Sequence, residues 1–262
     1  MKIARFSFQG KTQYGIIDNR VIKGYRGSPF AHPDNARIYF TPDGKEFKLD
    51  EVKLLSPSEP SKVVCLGLNY RKHIEEIGFK FPENPILFLK PPSAIINPDE
   101  YIVRPNLSEK DRIDYEGEVG VVIGKVARDV PENQALEYIL GYTCVNDVTA
   151  RVIQQKDGQW TRAKGFDTFC PIGPWIETEG NPDKMKVNTL LNGQIRQNSD
   201  TSFLIFKIPY LIAFISEVMT LMPGDVIATG TPEGIGQIAP GDTVEIRVEG
   251  VGTLRNFVKD KN

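Results

Sequence analysis

The sequence predicts a β-rich α+β fold, and three observations carry that prediction. Short β-branched and aromatic runs bounded by Gly, Pro, Asn and Asp recur along the chain: KIARFSF, YGIID, RVIKGY, KVVCLGLNY, PILFLK, VGVVIG, YILGYTCVND, VIATG and TVEIRVEG. Only one segment carries a clear helical stripe. Strands and helices do not alternate regularly, which argues against a doubly wound parallel sheet.

Taken in order, residues 1–53 read as short strands and tight turns. Gln9-Gly10-Lys11 and Asp18-Asn19 close two hairpins, and Pro42-Asp43-Gly44-Lys45 marks another. LLSPSEPSK (54–62) is rich in Pro and Ser and divides a small β-rich N-terminal domain, residues 1–58, from a larger domain, residues 59–262. KVVCLGLNY is a strand ending in a Gly-containing turn, and HIEEIG is one short helical turn stopped by Gly78. YILGYTCVND is a strand that places Asp147 at its end. Pro209 suits a first helical position, and Ile208, Leu211, Ile212, Ile215, Val218, Met219 and Met222 form an apolar stripe stopped by Pro223-Gly224. That helix belongs to the core. Pro223-Gly224-Asp225 and Pro240-Gly241-Asp242 are turns that each launch a β-rich run.

Composition narrows the function classes. The 262 residues carry 32 Lys and Arg against 34 Asp and Glu, with no basic run, so nucleic acid is not expected as a partner. Cys65, Cys144 and Cys170 never fall in a CxxC and read as buried thiols of a reducing compartment. The N-terminus shows no apolar signal region, and the apolar segment Tyr210 to Met222 is broken by Ser216 and Glu217. It falls short of the ~20 residues a bilayer requires. The expectation is a soluble cytoplasmic protein with no membrane partner.

Chemistry is concentrated in a few places. Glu116 and Glu118, at i and i+2 on a strand, share one face with Gly120 and Val122, while Val119, Val121 and Ile123 point the other way. Two like charges on one face repel, and burying them calls for a cation; carboxylate oxygens suit Mg²⁺, Mn²⁺ or Ca²⁺. The same pattern is compatible with a solvated strand face. His73 lies three residues before Glu76, a spacing that puts imidazole and carboxylate on one helical face, where the carboxylate fixes the tautomer and raises the basicity of the ring. A surface histidine on a charged turn has the same spacing. Lys164 lies in RAKGFDTFCPIGPW, a tightly turned path; it reads as an enolate-stabilising cation or a solvated one. Arg151 falls four residues after Asp147, which permits an ion pair. TGTPEGIG (229–236), with Gly230 and Thr231, offers backbone N–H groups that can cradle an anion. It lacks the Lys-Ser/Thr ending of a nucleotide-binding loop. His32, before Pro33, reads as structural. A Gly-x-Ser-x-Gly elbow, zinc-spaced His or Cys, and a GxGxxG turn are all missing from the sequence.

Six segments in this order, NYRKHIEEIG, LFLKPPSAII, DYEGEVGVVIGK, GYTCVNDVTAR, KGFDTFCPIGPW and PGDVIATGTPEGIG, span about residues 60 to 255 and resemble the motifs of the fumarylacetoacetate hydrolase family. The pattern is that of its shorter members, the acylpyruvase, oxaloacetate decarboxylase and hydroxyhepta-dienedioate isomerase group. The resemblance implies a mixed β-roll catalytic domain, a homodimer, and a Mg²⁺ or Mn²⁺ site. Carried over, the metal carboxylates fall on Glu116, Glu118 and Asp147. The His–Glu dyad of a lid helix falls on His73 and Glu76, and the active-site lysine on Lys164. The substrate threonine falls on Thr231, with Gly230 and Arg151 beside it as substrate contacts.

The chemistry so implied is a 2-oxo acid chelated by a divalent ion and held as an enolate, with Lys164 adding positive charge and His73, oriented by Glu76, activating water or shuttling a proton. The leading expectation is hydrolytic C–C cleavage of a β-diketo, acylpyruvate-type 2-oxo acid. The alternatives are decarboxylation of oxaloacetate, tautomerisation of a 2-hydroxy-dienedioate, and a silent 2-oxo acid binding module. Residues that choose the far end of the substrate are expected on the lid, Arg71 to Glu83, and in 192–206.

Overall fold

A computed structural model describes residues 1–30, 40–107 and 112–261; His32 lies outside them. The architecture is the β-rich α+β fold expected, with mixed sheets and few helices. One large sheet runs in the order Phe40–Lys48, Val21–Gly27, Lys11–Asp18, Lys2–Phe8, Cys170–Glu177, Ile139–Asn146, Gly117–Ile123, Val226–Ala228, Val63–Gly67 and Ile86–Lys90. Most neighbours are antiparallel, but Val226–Ala228 runs parallel to Val63–Gly67. A five-stranded sheet (Gln194–Asp200, Lys186–Leu191, Thr243–Val248, Gly252–Asp260, Tyr101–Arg104) and a small three-stranded one complete it.

The N-terminal strands form a meander with a small apolar cluster of their own, built on Ala4, Phe6 and Ile22. Their first strand also pairs with Cys170–Glu177, Lys2 opposite Glu177 and Ile3 opposite Ile176, so the meander extends the large sheet. Pro42-Asp43-Gly44-Lys45 does not close a hairpin. It lies inside the single strand Phe40–Lys48, which shifts register against Lys23 and Tyr25. Asp43 accepts the Lys45 N–H at 2.9 Å and turns the chain locally, and the strand absorbs that turn as an irregularity because pairing resumes on both sides.

Four α-helices are present among the described residues: α1 (Arg71–Ile77), α2 (Arg151–Asp157), α3 (Thr161–Lys164) and α4 (Ile208–Val218). α4 begins with Pro209 in its first turn and buries Ile208, Leu211, Ile212 and Ile215. It ends before the predicted Met222. Met219 is already extended, and Leu221 is drawn into a β-bridge with Ala127. The apolar stripe therefore continues past the helix as a bridge.

The two Pro-Gly-Asp turns share one device. Asp225 accepts the Met222 N–H at 2.8 Å and Asp242 accepts the Ala239 N–H at 2.7 Å, each aspartate closing the turn three residues behind itself. No helix among the described residues is long and apolar enough to cross a membrane.

Candidate active site

Every residue of Gly117–Ile123 is buried, so the strand has no solvated face. Val119, Val121 and Ile123 join the larger apolar core, and Val122 the second one on the opposite side. The alternation read from the sequence is therefore present, and it carries Glu118 into the interior at 1% exposure, with Glu116 just before the strand at 5%. Register brings in the third acid. Gly117 pairs with Asn146, and the next step outward joins the Asp147 N–H to the Glu116 carbonyl at 2.8 Å. Oxygens of Glu116, Glu118 and Asp147 lie within 4.8 Å of one another.

Three clustered buried carboxylates require compensation, and the protein supplies only part of it. Lys164, buried at the end of α3, donates to Glu116 Oε2 at 2.9 Å and Asp147 Oδ2 at 2.5 Å. Lys90, wholly buried, donates to Asp147 Oδ1 at 2.6 Å and to the Val148 carbonyl at 3.0 Å. Arg151, at the start of α2, contacts Glu116 through Nη2 and Asp114 through Nε at 2.9 Å. Arg112 pairs with the other oxygen of Asp114 at 2.5 Å. The result is a chain of alternating charge: Arg112, Asp114, Arg151, Glu116, Lys164, Asp147, Lys90.

Glu118 stands outside that chain. Its recorded donor is the Gly230 amide at 2.8 Å. Burial, reinforced by the charges of Asp147 and Glu116, pushes its carboxyl well above the usual carboxylate range. Glu116 moves the opposite way. Burial opposes its charge, but Lys164 and Arg151 outweigh it and hold the carboxyl well below that range. Lys164 is likewise opposed by burial and raised overall by Asp147 and Glu116. An all-oxygen cluster with one uncompensated carboxylate fits a hard divalent cation.

Across a cavity of about 360 Å³ lies α1. Its end is set by Gly78, left-handed at φ 71°, whose N–H returns to the Glu75 carbonyl. His73 is buried, with Nδ1 3.2 Å from Glu76 Oε2, so the spacing seen in the sequence is realised as a contact. His73, Glu76, Glu116, Glu118, Arg151, Lys164 and Thr231 all line the same cavity.

The turn at 229–236 does cradle anions, but they are the protein's own. Gly230 N–H holds Glu118, and Gly234 N–H reaches both oxygens of Glu76 at 3.1 and 3.2 Å. Gly234 adopts φ 92°, and a Cβ there would lie 2.2 Å from the Arg196 carbonyl oxygen. Thr231 donates to the Gly117 carbonyl at 3.0 Å. Arg151 does not pair with Asp147, as its spacing permitted; α2 turns it towards Asp114 and Glu116, and Lys90 and Lys164 hold Asp147.

Sequence reading missed Lys90, Asp114, Arg112 and Gln197. Lys90 follows ILFL and looks like the charged end of a strand; only its pairing opposite Val63 buries it. Gln197 is fully buried in the five-stranded sheet. It accepts from Gly117 N at 2.9 Å and Thr189 Oγ1 at 2.6 Å, and donates to Thr231 Oγ1 at 2.7 Å and the Pro232 carbonyl at 2.8 Å. The stretch 192–206 therefore supports the site without lining it. The outer wall is instead built from Arg112, Gln154, Gln155 and Trp160, together with the lid residues Ile77 and Phe79.

Fold and site together define a β-rich protein with a buried acidic cluster facing a His–Glu pair. Residues 62–259 match the family model described as fumarylacetoacetate (FAA) hydrolase C-terminal, and residues 1–57 match that of Rv2993c-like N-terminal segments. The chain belongs to the fumarylacetoacetate hydrolase family. A solved structure of 5-carboxymethyl-2-hydroxymuconate delta-isomerase from Mycobacterium smegmatis is 45% identical, with TM-score 0.89 and full coverage of both chains. The oxaloacetate tautomerase YisK of Bacillus subtilis (strain 168) is 40% identical over 226 residues, 81% of this chain and 75% of that protein. Maleylpyruvate hydrolase from Sphingobium sp. SYK-6, solved with manganese(II) and pyruvate, is 30% identical with TM-score 0.83 over the whole of both chains. The named members of this family are enzymes: hydrolases, isomerases and tautomerases.

Proposed function

We propose that the chain is a divalent-metal-dependent enzyme that moves a proton at the carbon next to the keto group of a 2-oxo acid, in the manner of a tautomerase or isomerase. The observation that carries this reading is the pairing of an uncompensated acidic cluster with a buried His73–Glu76 contact across one cavity. Glu116, Glu118 and Asp147 would hold Mg²⁺ or Mn²⁺, which when bound supplies Lewis acidity towards a carboxylate and keto oxygen. Lys164 places a fixed positive charge where negative charge develops on the keto oxygen. Glu76 orients the imidazole through Nδ1, leaving the other ring nitrogen to take or return the proton; such a base contributes ~10²–10⁴ in rate. Burial of His73 keeps that nitrogen from bulk water. Arg151, Thr231 and Gly230 serve the site by holding its carboxylates and backbone in place, and a small-molecule 2-oxo acid is the partner.

The isomerase and the tautomerase named above, at 45% and 40% identity, favour proton transfer over cleavage. A second reading, hydrolytic C–C cleavage of an acylpyruvate, is supported by the manganese and pyruvate found in the maleylpyruvate hydrolase and by the ability of the same His73–Glu76 pair to polarise a water. The test is exchange of the C3 protons of oxaloacetate with deuterated solvent, followed by NMR beside loss of acetylpyruvate diketo absorbance. Proton transfer predicts rapid exchange that falls at least ~10²-fold in His73→Ala. Exchange at the uncatalysed rate in the manganese-loaded protein would sink it, and diketo loss without exchange would install the hydrolytic reading instead.

A further inference from the structure

The outer end of the cavity carries a cation that the chemistry above does not use. Arg112 lines the cavity with its side chain 46% exposed. Its carbonyl accepts the Arg151 N–H at 2.7 Å, which fixes its backbone to the start of α2. Its Nε is committed to Asp114. Its side chain lines the cavity and stays half exposed, so among the described residues it is a cation of the cavity wall that reaches solvent. Arg151 has no such freedom: Nε meets Asp114, Nη1 meets Gln154 at 2.6 Å, and Nη2 meets Glu116.

Charge points the same way. The cavity floor and its supports hold four buried carboxylates, Asp114, Glu116, Glu118 and Asp147, against the cations Lys90, Lys164 and Arg151, and α1 adds a fifth carboxylate, Glu76, which faces His73 and the Gly234 N–H. Arg112 is the fourth cation, and it stands apart from the Glu116, Glu118 and Asp147 cluster on the half-exposed part of the wall. A divalent ion at the cluster would supply positive charge for one carboxylate and Arg112 supplies it separately for another, and the complement is a ligand with two separated negative charges. The planar, two-nitrogen edge of a guanidinium matches a carboxylate bidentately.

We infer that Arg112 reads the distal carboxylate of the substrate, making the enzyme selective for dicarboxylic 2-oxo acids over their monocarboxylic analogues. This rests on the metal-dependent 2-oxo acid reading, so its test separates the two. The manganese-loaded protein is titrated calorimetrically with oxamate, which offers the chelating end alone, and with N-oxalylglycine, which adds a second carboxylate. Wild type should bind N-oxalylglycine about tenfold or more tighter, the value of a charge-assisted hydrogen bond. Arg112→Met should erase that preference while oxamate affinity moves less than threefold, and Arg112→Lys should restore part of it. Equal weakening of both ligands in Arg112→Met would make Arg112 a mere prop for Asp114 and overturn the inference, as would a wild type without preference. Failure of wild type to bind either ligand would bring down the metal-dependent reading, and this inference with it.

Discussion

The two walls of the cavity are built on opposite principles. The floor, made by Glu116, Glu118, Asp147, Lys164 and Lys90, is buried to within a few per cent and tied into sheets on both sides. The lid, α1 and its continuation, exposes Phe79 at 57% and Phe81 at 46%, and rests on Ile74, Glu76 and a Lys72–Glu233 pair 3.6 Å apart. The charged groups of the floor are buried and cross-linked by hydrogen bonds. The proposed base, His73, sits on a short helix that buries only His73 and Ile74, the kind of element that opens at low cost. The difference teaches that ion affinity and proton transfer should be separable by mutation.

The largest effect is expected on the floor. Glu118→Gln removes the carboxylate that lacks a protein cation, and turnover should fall ~10³-fold or more, the scale of losing several kcal/mol of charge stabilisation. Manganese affinity measured by calorimetry should fall with it, whereas His73→Ala on the lid should leave manganese affinity intact. Parallel loss of manganese in both variants would erase the distinction between the walls. Gln197→Ala is next. It leaves the Gly117 N–H and the Thr189 hydroxyl without their acceptor, at a cost of about 2–3 kcal/mol. Tm should drop by several degrees on thermal scanning, with turnover falling more than Tm alone explains. A variant with unchanged Tm would show that the brace carries no strain.

The smallest effect concerns two buried thiols, Cys170 beside the floor and Cys144 in the core near Gly252. Burial pushes Cys144 and Cys170 up to about 12 from a usual value near 9. A folded-state pKa above the unfolded one means the folded form keeps its proton longer. The stability from these thiols is thus whole below pH 9 and lost as pH rises towards 12. Denaturant midpoints should decline across that window, and iodoacetamide should fail to label the native protein at pH 8. Rapid native-state labelling would show the interior around these thiols to be more open than their burial indicates.

Much of this was legible because the motifs are local. The spacings of His73-x-x-Glu76 and of Glu116/Glu118 need only helical and strand periodicity, and their joining with Asp147, Lys164 and Thr231 into one site came from the order of the motifs that resemble the family. Lys90 and Gln197 were not legible, because their significance comes from pairing between strands far apart in sequence: Lys90 opposite Val63, and Gln197 opposite Thr189 on one side and against Gly117 on the other. The Pro42–Lys45 turn misled for the opposite reason. Its residues do turn the chain, but pairing with Val21–Gly27 on both flanks keeps the strand whole. Arg151 misled through a spacing that α2 redirects.

The turn 229–236 holds one carboxylate of each wall, Glu118 through the amide of Gly230 and Glu76 through the amide of Gly234. Those four residues act as a ruler laid between the acidic cluster and the proposed base, His73. A single residue inserted between the two amides would leave each wall intact and still spoil the distance between them. Tolerance to changes in loop length should therefore vanish at this one place on the rim.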